Sequence, residues 1–145
     1  MLVLVDGSTA WRVVPWIRRL LAPAGGDARL LLVLPPARAV TAAGRTIVFA
    51  DQQEQSERLA AHFFLSGFVS RLCGEGLAAS AEVRFGKPAA ATLEAARDWG
   101  ADAIAVVDSP ARGWRRWFTR TVVDEILNHS PVPVLVTRTS GQRAA

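Results

Sequence analysis

AEVRFGKPAAATLEAARDWGADAIAVV, residues 81–107, has the pattern of a strand, a helix and a second strand in succession. Apolar and charged residues alternate up to Phe85, which predicts a half-buried strand at the edge of a sheet. Gly86 interrupts that strand, and Pro88 suits the first position of the helix that follows. Residues 103–107 form a continuous apolar run, which is typical of a strand buried on both faces of a parallel sheet. This unit therefore indicates a helical crossover between parallel strands.

Strands and helices continue to alternate on both sides of this unit. Apolar runs and the three-and-four spacing of apolar residues predict strands at 1–5, 28–34, 80–85, 103–107 and 134–137, and helices at 9–21, 51–73, 89–99 and 114–128. Such alternation predicts an α/β fold, a doubly wound parallel sheet with right-handed crossovers and helices on both faces. Ligands of such sheets bind at the carboxyl ends of the strands, near the point where the strand order reverses. We therefore expect the functional residues in the loops at 6–8, 34–36 and 108–113.

The second helix and the loop before it carry more detailed expectations. We expect residues 37–50 to form a loop with a short extended piece at 47–49. Asp51 matches a helix N-cap whose reciprocal partner is Glu54. The buried face of this helix is predicted to contain five apolar residues: Leu59, Phe63, Phe64, Phe68 and Leu72.

Composition limits the class of protein. The chain has 145 residues, of which 50% are apolar and 21% charged, which predicts one folded domain with a substantial core. No apolar run approaches the roughly 20 residues that cross a bilayer, and residues 1–6 lack the basic leader of a signal peptide. We therefore expect a cytoplasmic protein without a membrane partner. Cys73 is the single cysteine, and it shares no ligand spacing with His62 or His129, which argues against a disulfide framework or a metal site.

Four pieces of sequence carry a family resemblance. They are Asp6-Gly7-Ser8 after the opening strand, LLLVLPP at 30–36, GKP at 86–88 followed by GADAIAVV at 100–107, and HSPVPVLV at 129–136. In this order and spacing they resemble the universal stress protein (UspA domain) family over residues 1–138. The short remainder, residues 139–145, is expected to be a disordered tail.

The resemblance implies both an architecture and an assembly. It implies a five-stranded sheet in the order 3-2-1-4-5 and a homodimer formed by antiparallel pairing of the fifth strands. Val134, Leu135 and Val136 are then the paired edge. Elementary physics agrees, because an exposed apolar edge strand invites aggregation unless something covers it. The implied role is a stress response exerted through contacts with a protein partner.

One branch of the family binds ATP through a signature G-x-x-G-x9-G-[ST]. Glycines there let the main chain approach the phosphates, and free N–H groups hold the anion. Here the signature positions fall on Val107, Pro110, Arg120 and Thr121, so the three glycines are replaced and only the hydroxyl residue is kept. We therefore expect the branch that does not bind ATP. The residues that could still contact a nucleotide are Asp6, Gly7, Ser8, Val33, Gly113 and Thr121.

The segment that stands in place of the signature, residues 112–120, contains four arginines and two tryptophans. Guanidinium groups suit phosphate, so Arg112, Arg115 and Arg116 could form a substitute anion site. Alternatively, the aromatic residues pack on the sheet while the arginines are solvated, and this interpretation is favoured. A basic patch for a membrane surface or nucleic acid is a further alternative. Nucleic acid is disfavoured because residues 1–111 carry eleven basic and eleven acidic groups, which leaves no surplus of positive charge.

Three functions follow from these observations. The first is a homodimeric regulatory or binding module without catalytic turnover and without a cofactor. The second is an ATP- or AMP-binding stress protein that uses the arginine site. The third, a weak nucleotide hydrolase, ranks lowest because Asp108 is the only general base near the expected phosphate position and the chain has no P-loop.

Overall fold

A computed structural model describes residues 1–5, 10–36, 40–42, 45–48, 50–108 and 120–138 of the chain. These residues contain seven strands: β1 (Leu2–Val5), β2 (Asp27–Leu34), β3 (Val40–Ala42), β4 (Arg45–Val48), β5 (Ala78–Phe85), β6 (Ile104–Asp108) and β7 (Val134–Arg138). The helices are α1 (Ala10–Leu21), α2 (Ala50–Gly74), α3 (Pro88–Asp98) and α4 (Arg120–His129), with a short 3₁₀ turn at Ala22–Ala24 after α1. The predicted alternation of strands and helices is confirmed.

Five of the strands form one parallel sheet in the order β5-β2-β1-β6-β7. Numbered along the chain without the β3–β4 hairpin, this is the predicted order 3-2-1-4-5. The central strand β1 pairs with β2 on one side and with β6 on the other, and Val3 is in register with Leu30 and Ala105. The order reverses between β1 and β6, so the crevice expected of a doubly wound sheet lies at their carboxyl ends.

Two apolar layers cover the two faces of the sheet. Alternate residues of a strand point to opposite faces, so β1 sends Val3 and Val5 into one layer and Leu2 and Leu4 into the other. The first layer is closed by α1 and α2, and the second by α3 and α4. All four side chains are at most 2% exposed, which explains why the opening strand is apolar at every position.

The unit at 78–108 follows the predicted pattern closely. β5 is an edge strand, as its alternation predicted, and α3 begins at Pro88. Gly86 joins the two with a φ of 139°, a conformation that residues with a side chain rarely adopt. Leu93 and Ala96, which are three residues apart in α3, are both buried.

The loop predicted at 37–50 contains more structure than expected. β3 and β4 form an antiparallel two-stranded sheet with a register irregularity between Val40 and Thr41. The extended piece predicted at 47–49 corresponds to β4, which begins earlier, at Arg45. Three of the four residues of β4 are β-branched, and such residues favour extended backbone. The run of Thr46, Ile47 and Val48 is therefore a sequence signal for this strand.

The prediction for α2 needs two corrections. The helix begins at Ala50, so Asp51 lies within its first turn and not at the N-cap. Leu59 and Phe63 were predicted to be buried, but they are 74% and 83% exposed. At about 100° per residue, Phe63 lies roughly 180° around the helix from the buried Leu72, so one face cannot bury both. The buried face is formed instead by four residues: Ala61, Leu65, Phe68 and Leu72.

The end of the chain follows the prediction where it is described. Val122 and Ile126 of α4 are buried against the sheet. His129 is the last residue of this helix, and its Nδ1 atom lies 2.9 Å from the main-chain oxygen of Glu125, one turn earlier. The predicted amino-terminal part of this helix, residues 114–119, lies outside the described residues, as does the predicted tail at 139–145.

Candidate functional site

The candidate site is the crevice at the carboxyl ends of β1 and β6. Parallel strands place their carboxyl ends at one edge of the sheet, and the strands end there at Val5 of β1, Leu34 of β2 and Asp108 of β6. The N-termini of α3 and α4 belong to the same edge, because each helix follows a strand of the sheet. Lys87, the single lysine of the chain, precedes α3 there and is exposed.

Two of the predicted nucleotide contacts lie in the described part of the chain. Val33 belongs to β2, is only 3% exposed and packs in the layer under α3 and α4. Thr121 is the second residue of α4 and is exposed. One of the two therefore contributes to the core, and the other presents its side chain to solvent at the start of a helix. Their contact with a nucleotide stays a prediction.

The remaining predicted site residues lie outside the described residues. They are Asp6, Gly7 and Ser8 of the first loop, Gly113, and the three arginines Arg112, Arg115 and Arg116. Their roles in binding a nucleotide or an anion also stay predictions.

The main chain at the first signature position belongs to a paired strand. β6 continues through Val107, which is in register with Thr137 of β7, and the pairing extends one residue further to Asp108 and Arg138. The Thr137 hydroxyl reinforces this ladder by donating to the main-chain oxygen of Val106 at 3.4 Å. An anion-binding loop needs main-chain N–H groups that are free of such pairing. Position 107 is therefore part of the sheet and not of an open turn.

The outer strand β7 has one side of its ladder without a partner in the described part of the chain. Leu135 is 37% exposed, while Val134 and Val136 are half-buried against the α3 and α4 layer. The approach to the strand is fixed by Ser130, whose hydroxyl donates to the Val132 oxygen at 2.6 Å. The strand is thus held in place with an apolar residue facing outward. That it pairs with a second copy stays a prediction.

A charged cluster on the α3 face was not anticipated from the sequence. Arg84 of β5 forms ion pairs of 2.7 Å with both Glu82 and Asp98, and its side chain is only 21% exposed. Burial opposes the charge on Arg84, but the hydrogen bonds to the two carboxylates outweigh it, so the pKa of Arg84 is raised above its usual value. Arg84 is the register partner of Val33. It links the edge strand to the end of α3.

Two guanidinium groups lie close to the Trp99 ring in the same region. The Arg84 guanidinium lies 5.8 Å from the centre of the Trp99 ring, and that of Arg29 lies 5.5 Å away. Both distances are within the range of cation–π attraction. A shallow cavity of about 170 Å³ opens beside them and is also lined by Asp27 and Asp102. It lies at the amino ends of the strands, opposite the edge where ligands of doubly wound sheets bind, so we assign it no role.

The sequence contained part of the signal for this cluster. The alternation in β5 placed Glu82 and Arg84 on the face opposite Val83 correctly. It did not indicate that α3 covers this face, because the pattern of a single strand does not say which helix packs over it. Trp99 was similarly recognisable as an aromatic residue at a helix end, without any indication of its charged neighbours.

Comparison with known structures gives the fold independently. A universal stress protein from Burkholderia pseudomallei superimposes with a TM-score of 0.68 at 20% identity, over 94% of each chain. A universal stress protein from Archaeoglobus fulgidus in complex with dAMP gives 0.62 at 18% identity, over 93% of this chain and 94% of that one. A family protein from Arabidopsis thaliana with AMP bound gives 0.58 at 15% identity, over 97% and 93%. Among functionally curated proteins, no sequence matches this chain significantly.

The fold and the position of its crevice define a doubly wound α/β domain of the kind that holds small ligands at the strand switch point. Within this class, the family model of the universal stress proteins matches residues 1–138. The chain belongs to the universal stress protein family. In the described part of the chain, no helix is long and apolar enough to cross a membrane. The same residues contain no group of three His, Cys, Asp or Glu side chains placed to hold a metal ion.

Proposed function

We propose that this chain is a cytoplasmic regulatory module that acts as a homodimer, through protein contacts and without catalytic turnover. The observation that carries the proposal is the pairing of β6 with β7 through Val107 and Asp108. It engages the main chain where the ATP-binding branch of the family has a glycine. A second signature position is the first residue of α4, and it is arginine, Arg120, where that branch has another glycine.

The edge strand β7 supports the homodimer. Its outward Leu135 is 37% exposed, and a second copy of β7 in antiparallel orientation would pair its free main-chain groups and cover this residue. Such an interface is two-fold symmetric, as most homodimer interfaces are. The dimer then has a continuous sheet of ten strands, with the α3 and α4 layers of both copies on one face.

The dimer is tested by sedimentation velocity with Leu135→Asp. A charge at the centre of the paired edge should abolish the β7 dimer, so the variant should sediment as a smaller species than the wild type. Its melting temperature should stay close to that of the wild type, because Leu135 is already partly exposed in the single chain. Leu20→Asp on α1, at a site that is 46% exposed, is a matched control and should change nothing. A Leu135→Asp protein with the association state of the wild type would place the dimer contact elsewhere.

A second candidate function is the binding of an adenine mononucleotide. It is favoured by the two structural neighbours that hold dAMP and AMP. A monophosphate needs fewer hydrogen-bond donors than a triphosphate, so it can bind without the full glycine signature. The exposed Thr121 at the start of α4 and the three arginines at 112, 115 and 116 are the residues that we propose for this phosphate. A hydroxyl beside a helix N-terminus and guanidinium groups are both suited to it.

Thermal melting separates the two candidates. If AMP is a ligand, the melting temperature should rise with AMP concentration, and the rise should disappear in the triple variant Arg112→Ala, Arg115→Ala, Arg116→Ala. No rise with AMP in the wild type rejects the second candidate. Steady release of phosphate from ATP above a control without protein would contradict the absence of catalytic turnover.

A further inference from the structure

The exposed face of α2 carries a charge-free stripe that runs along most of the helix. It consists of seven residues at alternating spacings of four and three: Gln52, Ser56, Leu59, Phe63, Ser66, Ser70 and Cys73. All seven are exposed, and the two large apolar members, Leu59 and Phe63, are 74% and 83% exposed. We call these residues the α2 stripe. It is about 32 Å long, at 1.5 Å per residue.

The spacing of the α2 stripe is that of a helix that packs along another helix. Alternating steps of four and three average 3.5 residues, the period of the contact seam in paired helices. The positions beside the seam on one flank are Ala60, Gly67 and Gly74, all small and all exposed. A side chain at Gly67 would meet nothing within 4 Å in this chain, so packing within one copy does not require glycine there. Small flanking residues allow a second helix to approach closely.

The α2 stripe is symmetric about its own centre. Gln52 and Ser70 are equally far from residue 61, as are Ser56 and Ser66, and as are Leu59 and Phe63. Two copies of the stripe in antiparallel orientation therefore match along their length, and Leu59 of each meets Phe63 of the other. A self-matching surface of this kind is what a two-fold contact between identical chains requires.

Charge favours the same orientation. Residues 51–61 contain three acidic residues and one basic residue, whereas residues 62–74 contain a single charged residue, Arg71. Arg71 is itself paired with Glu75 at 3.5 Å, so the second half of the helix carries little net charge. An antiparallel pair keeps the two acidic halves apart, and it also brings the opposite ends of the two helix dipoles together. A parallel pair would place the two acidic halves side by side.

We propose that the α2 stripe is the contact surface for α2 of a second copy, with the two helices antiparallel and a two-fold axis at the level of Ala61. In the sheet, β5 and β7 are at opposite edges, and α2 packs alongside β5. The α2 contact therefore does not compete with pairing through β7. The two contacts together lead to assemblies larger than a dimer.

Sedimentation velocity of the full chain at increasing concentration tests the surface. Phe63→Glu should raise the concentration needed for half-association through this contact at least tenfold, because it buries a charge in the centre of the seam. Leu20→Glu on α1 is the control and should leave association unchanged. If Phe63→Glu associates like the wild type, the proposal is wrong. If Phe63→Glu dissociates and Leu135→Asp leaves the association state unchanged, the α2 contact is supported and the β7 dimer is rejected.

Cysteine pairing tests the orientation. In a Cys73→Ser background, the double variant Ser56→Cys, Ser66→Cys should form a disulfide-linked dimer under mild oxidation. The reason is that position 56 of one copy lies beside position 66 of the other in an antiparallel pair. Ser56→Cys alone should stay unlinked, because two copies of residue 56 are about 15 Å apart along an antiparallel pair. Linked dimers from the single variant would indicate parallel helices and would overturn the proposal, as would the absence of links in the double variant.

Discussion

Removal of the Arg84 guanidinium should destabilise the fold much more than removal of an ordinary surface arginine. Arg84 is 21% exposed and holds Glu82 and Asp98 at 2.7 Å each, while those carboxylates are 37% and 59% exposed. Because both partners can return to solvent, each pair is worth about 1 kcal/mol, at the upper end of the range for exposed ion pairs. The cation–π contact with Trp99, at 5.8 Å, adds about 0.5–1 kcal/mol. Arg84→Met keeps the apolar stem and should therefore cost about 2–3 kcal/mol.

The assay is a thermal melt followed by circular dichroism, with Arg18→Met as the matched control. Arg18 has one ion pair with Glu75 at 3.8 Å and is 57% exposed, so its removal should cost less than about 0.5 kcal/mol. For a chain of this size, 2–3 kcal/mol corresponds to roughly 6–10 °C in Tm. High salt should narrow the gap between wild type and Arg84→Met. If Arg84→Met melts within 1–2 °C of Arg18→Met, Arg84 does not clamp β5 to α3.

Three further substitutions test the packing and the backbone. Leu65→Ala removes a fully buried side chain of α2 and should lower the free energy of unfolding, measured by chemical denaturation, by about 3–4 kcal/mol. Phe63→Ala, at a site that is 83% exposed, should change it by less than about 0.5 kcal/mol in dilute solution. Equal losses would mean that Leu65 does not lie on the buried face of α2. Ile126→Ala should cost about as much as Leu65→Ala, since Ile126 is also fully buried, and a loss below about 1 kcal/mol would contradict the packing of α4 on the sheet. Gly86→Ala should lower the free energy of unfolding by about 1–2 kcal/mol because of the φ of 139°. A clash is not the cause, since nothing lies within 4 Å of the added carbon. Gly74→Ala is the control: Gly74 lies at the end of α2 without such a φ, so this substitution should be neutral or stabilising.

The sequence was sufficient for the architecture because each buried strand identifies itself. A strand covered on both faces, such as β1, must be apolar at every position, and no surface element of a small domain has that composition. The crossover helices then follow from short spacers and from turn residues such as Gly86 and Pro88. Strand order is different, since no local pattern specifies which strands are neighbours. It came from the family resemblance.

The prediction failed where two answers fit the same local pattern. The helix α2 has apolar residues on two faces, and spacing alone does not say which of them meets the sheet. Leu59 and Phe63 are individually more apolar than Ala61, so composition favoured the wrong face. The decision is made by the whole set of Ala61, Leu65, Phe68 and Leu72, which lies along one line and fits against β5. The Arg84 cluster was missed for a related reason, because its partners are distant in sequence.

The position of the candidate site could be predicted from the sequence, but its ligand could not. The switch between β1 and β6 follows from topology, and the loss of the glycines at 107 and 120 is readable in the chain itself. The apolar run at 103–107 predicted that Val107 lies in a strand. It did not indicate that Val107 is in register with Thr137 or that the strand continues to Asp108, since this register depends on where β7 begins. That pairing is the strongest structural argument about the site.

Isothermal titration calorimetry of the purified wild-type chain with Mg-ATP tests the central claim most directly. If the main chain at 107 is engaged in the sheet and glycine is absent from the signature, titration to 1 mM Mg-ATP should give only the heat of dilution. The same sample, melted in 1 mM Mg-ATP, should keep its Tm. If the chain bound Mg-ATP with a dissociation constant of about 10 μM, 1 mM ligand would raise the free energy of unfolding by about 2.7 kcal/mol. Such a constant, with a matching rise in Tm, would contradict the account.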